Sequence, residues 1–320
     1  MQEFVITALS VHMPNVLRWA GGIARLLRGH QIGLESKGTG SAATDALTLA
    51  DLSLQDLIVS ALRDSDPIFR HCRIDAEETT GDLAAFPQQA PLTIGIDPID
   101  GTKKYRDHAG DGYSVMLHLR TAEEVIYSLV FIPEHGPHGW WVEATGDRIV
   151  SGPDDPTRPA GDVLRSLPAL DRAPVAPFGK IYVNGFQRQN AEVVQRLTAA
   201  GFQGILAEQL PGCPYELLAR GELSGALVHS PNLYDFPVTS HLARLFGGKS
   251  VFVRSGEPLR FDAPWRDQKA NMLRVTGIVA CSGNGDDVVK LTELTRGWHS
   301  DRYHAGESLE DPTFARPETE

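Results

Sequence analysis

Basic residues and cysteine are scarce in this sequence, and each shortage excludes a class of protein. The 320-residue chain has 30 Lys and Arg against 41 Asp and Glu, a net charge of −11. Proteins that bind nucleic-acid polymers present basic faces, so this charge argues against such a partner. The three cysteines (Cys72, Cys213 and Cys281) are scattered and form no C-x-x-C pair. This argues against a zinc site and predicts a reducing compartment.

Long apolar runs are missing as well. No stretch approaches the roughly 20 apolar residues of a membrane span, and no basic leader precedes an apolar core at the N-terminus. We therefore predict a cytoplasmic protein without a membrane partner. The 11 histidines show no metal-ligand spacing, so we interpret them as structural or surface residues.

The most informative stretch that is present reads L-T-I-G-I-D-P-I-D-G-T, over residues 92–102. Its uncharged, β-branched first half is typical of a strand covered on both faces. Pro98 cannot donate to a strand ladder, so we predict that the strand stops there and the chain turns. Asp97 and Asp100 in this turn repel each other unless a cation lies between them, and Mg²⁺ prefers such oxygen ligands.

Two more residues of this turn suit an anion. Gly101 lets backbone N–H groups approach an anion closely, and Thr102 adds a hydroxyl. The alternative interpretation is an ordinary Asp/Pro/Gly turn that follows a strand.

Hydrophobic periodicity predicts the elements before residue 150. Apolar residues recur at helical spacing over residues 5–27, and Thr48-x-x-Asp51 matches the capping pattern of a second helix. An antiparallel meander is predicted from residues 113–119, a half-buried strand, together with 125–132 and 138–144.

Beyond a linker at residues 151–162, short strands alternate with helices, which predicts a mixed or parallel sheet. The strands are predicted at residues 181–183, 226–229, 250–253 and 274–281, and the helices at 190–200, 217–220 and 235–245. We divide the chain into an α+β subdomain (1–150), an α/β subdomain (151–299) and an acidic, loosely ordered tail (300–320).

Four segments, in order, resemble the signatures of the inositol monophosphatase family of metal-dependent, lithium-sensitive phosphatases. Residues 97–102 resemble its D-P-x-D-G-T/S signature, and Tyr234-Asp235 resembles a W-D pair that opens a helix ending in Gly-Gly. The other two matches are Thr48-x-x-Asp51 with T-x-x-D, and Glu77-Glu78 with E-E. Lys37 also lies where the family often keeps a lysine. The resemblance covers residues 37–253, most of the chain.

The resemblance implies a layered αβαβα sandwich of α+β and α/β character, with an antiparallel sheet in the N-terminal half and a mixed or parallel sheet in the C-terminal half. It also implies an Mg²⁺-dependent phosphoric monoester hydrolase with two or three ions per site and no covalent phosphoenzyme. One ion is expected on Glu77, Asp97 and the backbone carbonyl of Ile99. A second is expected on Asp97, Asp100 and Asp235.

The resemblance further implies which residues act at the reacting phosphate. Thr102, paired with Asp51, is expected to orient or deprotonate the attacking water, with help from Glu77. Substrate contacts are expected from Gly101, Thr102, Lys103 and Asp235, and from Cys213, which takes the place of a family serine.

The substrate stays open because the sequence departs from the family pattern. W-D-x-x-A-G becomes Y-D-F-P-V-T over residues 234–239, and Lys103-Lys104 is closer to the branch that acts on 3′-phosphoadenosine 5′-phosphate. Lys103, Lys104 and Arg106 form either a solvated patch or a contact to a second phosphate. We predict a small phosphorylated metabolite, such as an inositol monophosphate or a similar polyol or sugar phosphate, with a 3′(2′),5′-bisphosphonucleotide as the alternative.

Three further alternatives concern the protein class and its assembly. A haloacid-dehalogenase-type phosphatase carries D-x-D-G-T, but Pro98 occupies the place of its second acid. A non-catalytic protein that binds a phosphorylated metabolite is the other rival. Dimers are frequent in the family, so a homodimer is open.

Overall fold

The computed structural model describes residues 1–30, 49–110, 112–172 and 175–314. Thr48, Lys37 and the end of the predicted tail lie outside the described residues. The helices are α1 (Gln2–Arg28), α2 (Leu49–Ser65), α3 (Thr102–Arg106), α4 (Ala160–Ser166), α5 (Asn190–Ala199), α6 (Pro214–Ala219), α7 (Phe236–Leu245) and α8 (Gly285–Thr295). The strands are β1 (Arg73–Ala76), β2 (Thr93–Asp100), β3 (Ser114–Arg120), β4 (Val125–Ile132), β5 (Trp140–Thr145), β6 (Arg148–Pro153), β7 (Lys180–Asn184), β8 (Gln203–Leu206), β9 (Gly225–His229), β10 (Lys249–Phe252), β11 (Trp265–Asp267), β12 (Met272–Arg274) and β13 (Ile278–Ser282).

The first sheet has the order β1-β2-β3-β4-β5-β6, and all its pairs are antiparallel except β1 with β2. The predicted meander is confirmed. Helices α1 and α2 pack on one face of this sheet. Pro14 lies buried inside α1 without ending it. Side chains of α6 and α7 cover the other face. The prediction of a half-buried β3 was therefore wrong, because both of its faces are covered and every one of its residues is buried.

The second sheet has the order β10-β13-β9-β7-β8. Strand β7 runs parallel to β8 and β9, whereas β13 is antiparallel to β9 and β10. The predicted mixed sheet is thus confirmed. Helices α5 and α8 pack with it in one apolar cluster, and α7 packs with it in another. The layers follow the order α1/α2, first sheet, α6/α7, second sheet, α5/α8, which is the expected αβαβα sandwich.

The predicted end of the central strand was wrong. Strand β2 continues through Pro98 to Asp100, and its register with β3 shifts between Asp97 and Asp100. A bulge is one of the few places in a sheet where proline fits, since the ladder is already interrupted there.

Several C-terminal boundaries also differ from the prediction. Residues 151–162 are only partly a linker, because β6 runs to Pro153, past the predicted subdomain boundary at 150, and α4 starts at Ala160. Segment 274–281 divides into β12 and β13, and the short helix predicted at 217–220 is α6. Helix α8 and strand β8 were not predicted.

The tail is ordered where the structure describes it. Arg302 and Leu309 are buried, and Trp298 forms a β-bridge with Glu310. The expectation of a loosely ordered tail was therefore wrong for residues 300–314. Among the described residues, every helix is too short or insufficiently apolar to cross a membrane.

Candidate metal centre

Three carboxylates converge where the two halves of the molecule meet. Asp97 and Asp100 come from β2, and Asp235 immediately precedes α7. One oxygen from each lies within 4.8 Å of the others. In a regular strand a spacing of three residues places two side chains on opposite faces. The bulge in β2 adds a residue and brings Asp97 and Asp100 to the same site.

Asp235 occupies the N-cap position of α7, but its side chain makes no capping hydrogen bond. Its Oδ2 accepts a hydrogen bond from Asn232 Nδ2 at 2.9 Å, and Asn232 Oδ1 accepts from the backbone N–H groups of Tyr234 and Asp235. This Asx turn fixes the carboxylate before the helix starts. The interpretation of Asp235 as a helix start is correct in position, while its side chain is held toward the other acids.

Burial and mutual repulsion act on all three carboxylates. Burial is the main reason why the pKa of Asp97 is raised well above its ordinary value, and the charges of Glu77, Asp100, Asp235 and Asp51 add to the effect. Burial also raises the pKa values of Asp235 and Asp100. The three carboxyl groups resist ionisation because they are buried and their negative charges repel one another. A divalent cation bound between them would remove this repulsion.

The other expected ligands lie beside this group. Glu77 directly follows β1, and its backbone N–H donates to the Ile96 carbonyl at 3.3 Å across the parallel pair β1–β2. Its charge raises the pKa values of both Asp97 and Asp235. The Ile99 N–H donates to Asp97 Oδ1 at 3.0 Å, which orients that carboxylate from its own turn.

Thr102 and Asp51 meet as the sequence predicts. Thr102 opens α3, and Asp51 is buried in the first turn of α2. Thr102 Oγ1 lies 3.2 Å from Asp51 Oδ1 and 2.8 Å from the Ile99 carbonyl oxygen. A hydroxyl has a single hydrogen, so Thr102 donates to one of these acceptors at a time.

The expected phosphate contacts differ in their surroundings. Gly101 adopts the left-handed conformation (φ 83°, ψ 32°) that starts α3, and its N–H donates to the Asp100 carboxylate. Lys103 is half-exposed and pairs with Asp107 at 3.1 Å, and Arg106 pairs with the same carboxylate. Lys104 is the basic residue whose charge lowers the pKa of Asp100.

Cys213 is buried at the N-cap of α6. Burial, assisted by the charge of Asp100, raises the pKa of its thiol to about 12. The side chain is therefore a neutral thiol at neutral pH and not a nucleophile.

Sequence reasoning missed three residues that support the acids. The Tyr215 hydroxyl donates to Asp100, which lowers the pKa of that carboxylate. Arg274 lowers the pKa of Asp235 through its charge and is itself fixed by Asp267 at 2.8 Å. Asn232 had a usable signal, because an Asn shortly before a helix, here three residues before the N-cap Asp235, is typical of an Asx turn. Tyr215 and Arg274 had none.

A close backbone contact joins the halves beside the acids. A Cβ on Gly112 would lie 2.8 Å from the carbonyl carbon and oxygen of Gly212, which precedes Cys213 and α6. Gly112 lies two residues before Ser114, the β3 partner of Asp100. This contact brings the start of α6, which carries Tyr215, close to the strand that carries Asp97 and Asp100.

Comparison with known proteins places these residues in a family context. The model of the inositol monophosphatase family matches residues 9–160, a range that includes the acids of β2, Glu77, Asp51 and Thr102. No curated protein sequence matches the chain.

Solved structures of this fold are similar along most of the chain. A staphylococcal inositol monophosphatase-1 has a TM-score of 0.62 at 16% identity and covers 90% of this chain and 94% of its own. The IMPase of Thermotoga maritima has a TM-score of 0.60 at 18% identity, with coverage of 92% and 98%. An IMPase/NADP phosphatase complexed with Mg²⁺ and phosphate has a TM-score of 0.56 at 16% identity, with coverage of 84% and 86%. These likenesses show the fold.

Proposed function

We propose that the chain is a member of the inositol monophosphatase family, whose model matches residues 9–160, and that it hydrolyses a small phosphorylated metabolite by direct attack of water. An inositol monophosphate or a similar polyol or sugar phosphate is the proposed substrate. The observation that carries this proposal is the meeting of Asp97, Asp100 and Asp235 beside the Thr102–Asp51 hydrogen bond.

The donor set fits Mg²⁺. The three carboxylates offer oxygens within 4.8 Å of one another, and their raised pKa values reflect a repulsion that a cation relieves. Glu77, Asp97 and the Ile99 carbonyl would hold one ion, and Asp97, Asp100 and Asp235 a second. When bound, Mg²⁺ supplies positive charge to the phosphate oxygens and lowers the pKa of a nearby water.

Thr102 has the geometry to receive a proton from the attacking water. Its hydrogen is shared between Asp51 Oδ1 and the Ile99 carbonyl. If that carbonyl held a cation, its lone pairs would be less available, and the Thr102 hydroxyl would donate to Asp51. The Thr102 oxygen would then accept the proton of the attacking water, while the hydroxyl's own proton passes to the buried Asp51 carboxylate.

A phosphate-release screen tests this function. Purified chain is incubated with Mg²⁺ and a panel of inositol phosphates, sugar phosphates, histidinol phosphate and nucleoside monophosphates, with Asp97→Asn in parallel. We expect turnover of a polyol or sugar monophosphate by the wild type alone, with oxygen from labelled solvent water in the released phosphate. An aspartyl-phosphate trapped on the protein, or no turnover of any panel member, contradicts the proposal.

A 3′(2′),5′-bisphosphonucleotide is the second candidate substrate, and Lys104 is the observation that favours it. Its charge reaches Asp100 at the start of α3, beside the proposed phosphate position. A second phosphate on the substrate would find this cation within the site. Lys104→Met should raise KM for 3′-phosphoadenosine 5′-phosphate at least tenfold and leave KM for inositol monophosphate nearly unchanged. Equal effects on both substrates contradict the second candidate.

A cytoplasmic location is proposed on the basis of the cysteines. All three are free thiols and all three are buried. Such usage is typical of proteins that stay in a reducing compartment.

A further inference from the structure

The chain that follows α8 crosses the second sheet at the edge where β7 and β9 end. Residues 298–304 form this crossing, which we call the C-terminal segment. Arg302 Nη1 donates to the carbonyl oxygens of Gly185, at 3.3 Å, and His229, at 2.7 Å. The segment is therefore fixed to the carboxyl ends of two parallel strands. One of them, β9, ends at His229, six residues before Asp235.

The first residue after β9 has an unusual backbone conformation. Ser230 has a φ of 49°, in the left-handed region that residues other than glycine rarely adopt. Its N–H donates to the Gly277 carbonyl at 2.6 Å, and its carbonyl accepts from Arg274 Nη1 at 3.1 Å. Such a conformation persists where the surroundings hold it in place. It sets the direction in which the chain leaves β9 toward Asp235.

Two buried arginines thus hold consecutive carbonyl groups at the end of β9, Arg302 the first and Arg274 the second. Asp267 links them, because its Oδ2 accepts from Arg274 Nε and from the hydroxyl of Tyr303, each at 2.8 Å. Burial, assisted by the charge of Arg274, lowers the pKa of Arg302 to about 10, so this guanidinium stays charged at neutral pH. Charged donors make the stronger hydrogen bonds.

The loop that these arginines hold also orients the Asp235 carboxylate. Asn232 forms a β-bridge with Arg274, and its Nδ2 donates to Asp235 Oδ2 at 2.9 Å. A displacement at Ser230 would therefore reach Asn232 and the carboxylate that it orients. Groups that orient a metal ligand in this way are worth about 10- to 100-fold in metal affinity.

We propose that Arg302 is a positioning residue for Asp235, and that the C-terminal segment thereby forms part of the metal centre. This inference rests on the proposed function, in which Asp235 is a metal ligand. Arg302 acts through the backbone of the loop and does not touch the ion.

The competing explanation is that Arg302 only fastens the C-terminal segment to the protein. Arg254 separates the two explanations, because it fastens the same stretch of chain from another side. Its guanidinium donates to Ser300 Oγ at 3.0 Å and to Asp311 Oδ2 at 3.1 Å. A fastening role predicts similar consequences for the loss of either arginine, whereas a positioning role predicts an effect of Arg302 alone on the metal.

Calorimetric titration of the substrate-free full chain with Mg²⁺ tests the assignment. Arg302→Met keeps an unbranched apolar side chain without donors, and we expect its affinity for Mg²⁺ to fall at least about tenfold. Arg302→Lys keeps a charged donor and should bind Mg²⁺ more tightly than Arg302→Met. The matched control, Arg254→Met, should bind like the wild type. If Arg302→Met does not fold, Arg302→Gln, which is too short to reach both carbonyls, replaces it with the same expectation.

A double-mutant cycle with Asp235→Asn shows whether the effect passes through Asp235. In this background the carboxylate that Arg302 positions is absent. We therefore expect Arg302→Met to lower the remaining Mg²⁺ affinity by less than about twofold.

Three results overturn the inference and leave the proposed function standing. They are wild-type Mg²⁺ affinity in Arg302→Met, an equal loss in Arg254→Met, and an undiminished effect of Arg302→Met in the Asp235→Asn background. A wild type that binds no Mg²⁺ overturns the inference and the proposed function together.

Discussion

At the scale of single residues, Asp97 lies in an unfavourable electrostatic environment. It is buried, and the negative charges of Glu77, Asp100, Asp235 and Asp51 all act on it. A folded chain keeps such an arrangement at a cost in stability, which a bound cation offsets. The hydrogen bond from Tyr215 to Asp100 fixes the orientation of that carboxylate without neutralising its charge.

Thr102 is the residue that tests the proposed attack by water. Thr102→Ala removes the hydroxyl that links Asp51 to the Ile99 carbonyl, and we expect kcat to fall by about 100-fold or more. Thr102→Ser keeps the hydroxyl and should retain most of kcat. Steady-state kinetics on the substrate found in the screen provide the measurement. Similar losses in both variants would show that the hydroxyl has no role.

Tyr215 should act on metal affinity. Tyr215→Phe removes the hydrogen bond to Asp100, and outer hydrogen bonds to metal ligands are worth about 10- to 100-fold in affinity. We therefore expect Mg²⁺ to bind about tenfold more weakly by calorimetry. Tyr113→Phe is the control, because the buried Tyr113 hydroxyl has no hydrogen-bond partner among the residues that the structure describes. Equal affinity in the two variants contradicts this assignment.

At the scale of elements, the bulge in β2 and the short helix α3 together position the residues of the candidate site. The bulge turns Asp97 and Asp100 to the same side, and the left-handed Gly101 then reverses the chain into α3. Thr102 is placed by that reversal within reach of α2, which carries Asp51. Local backbone geometry thus sets the distance between the two aspartates of β2 and the Thr102–Asp51 pair.

Comparing alanine substitutions at Gly101 and Gly136 separates the loss of stability that backbone strain causes from the loss of activity that a changed site geometry causes. A non-glycine residue in the left-handed region costs about 1–2 kcal/mol, and Gly136, at φ 70° in an open turn, should show a similar loss when changed to Ala. We expect both variants to unfold at lower denaturant concentration. Only Gly101→Ala should lower kcat, by at least tenfold. Full activity of Gly101→Ala shows that the turn tolerates another geometry.

At the scale of the whole molecule, the site is completed by folding the two halves onto each other. The first sheet supplies Asp97 and Asp100, whereas Asp235 comes from the boundary of α7, packed between the sheets. The contact of Gly112 with Gly212 holds the halves together beside these acids.

The close contact between Gly112 and Gly212 predicts that alanine is tolerated at position 212 but destabilises the protein at position 112. A Cβ on Gly112 collides with backbone at 2.8 Å, whereas a Cβ on Gly212 finds Glu216 Oε2 at a comfortable 3.7 Å. We expect Gly112→Ala to cost about 1–3 kcal/mol of unfolding free energy, the usual range for overpacking, and to lower kcat/KM. Gly212→Ala should be close to wild type in both respects. Denaturant titration and kinetics check the pair, and equal behaviour of the two variants contradicts it.

The acids predict how the stability of the metal-free protein depends on pH. The folded-state pKa of Asp97 lies above the unfolded value of about 3.9, so the folded state binds the proton more tightly. Below about pH 4 Asp97 is protonated in both the folded and the unfolded state, so it has no effect on stability. As the pH rises from there toward the folded-state pKa, Asp97 destabilises the fold progressively.

In the presence of a metal chelator, the wild type should therefore lose thermal stability relative to Asp97→Asn as the pH rises from about 4 to about 8. An exposed carboxyl is already ionised over this range, so the difference reports on the buried Asp97. Mg²⁺ should restore the wild type alone, because it binds the folded state. Parallel pH profiles of the two proteins in chelator contradict the prediction.

The sequence by itself was enough to predict the acidic turn of the candidate site and the elements around it. Ligand chemistry depends on residue types at short spacing, so Asp97, Asp100 and Thr102 could be identified from one turn. Periodicity is equally local, which is why β4 was predicted at its observed residues. The family resemblance then supplied Asp51, Glu77 and Asp235, and the structure brings them beside that turn.

The tertiary structure alone decided what depends on residues far apart in the chain. Strand β3 is buried on both faces because α6 and α7, about 100 residues later, cover the second face. Tyr215 supports Asp100 across the same distance, and residues 300–314 are ordered by contacts to the second half.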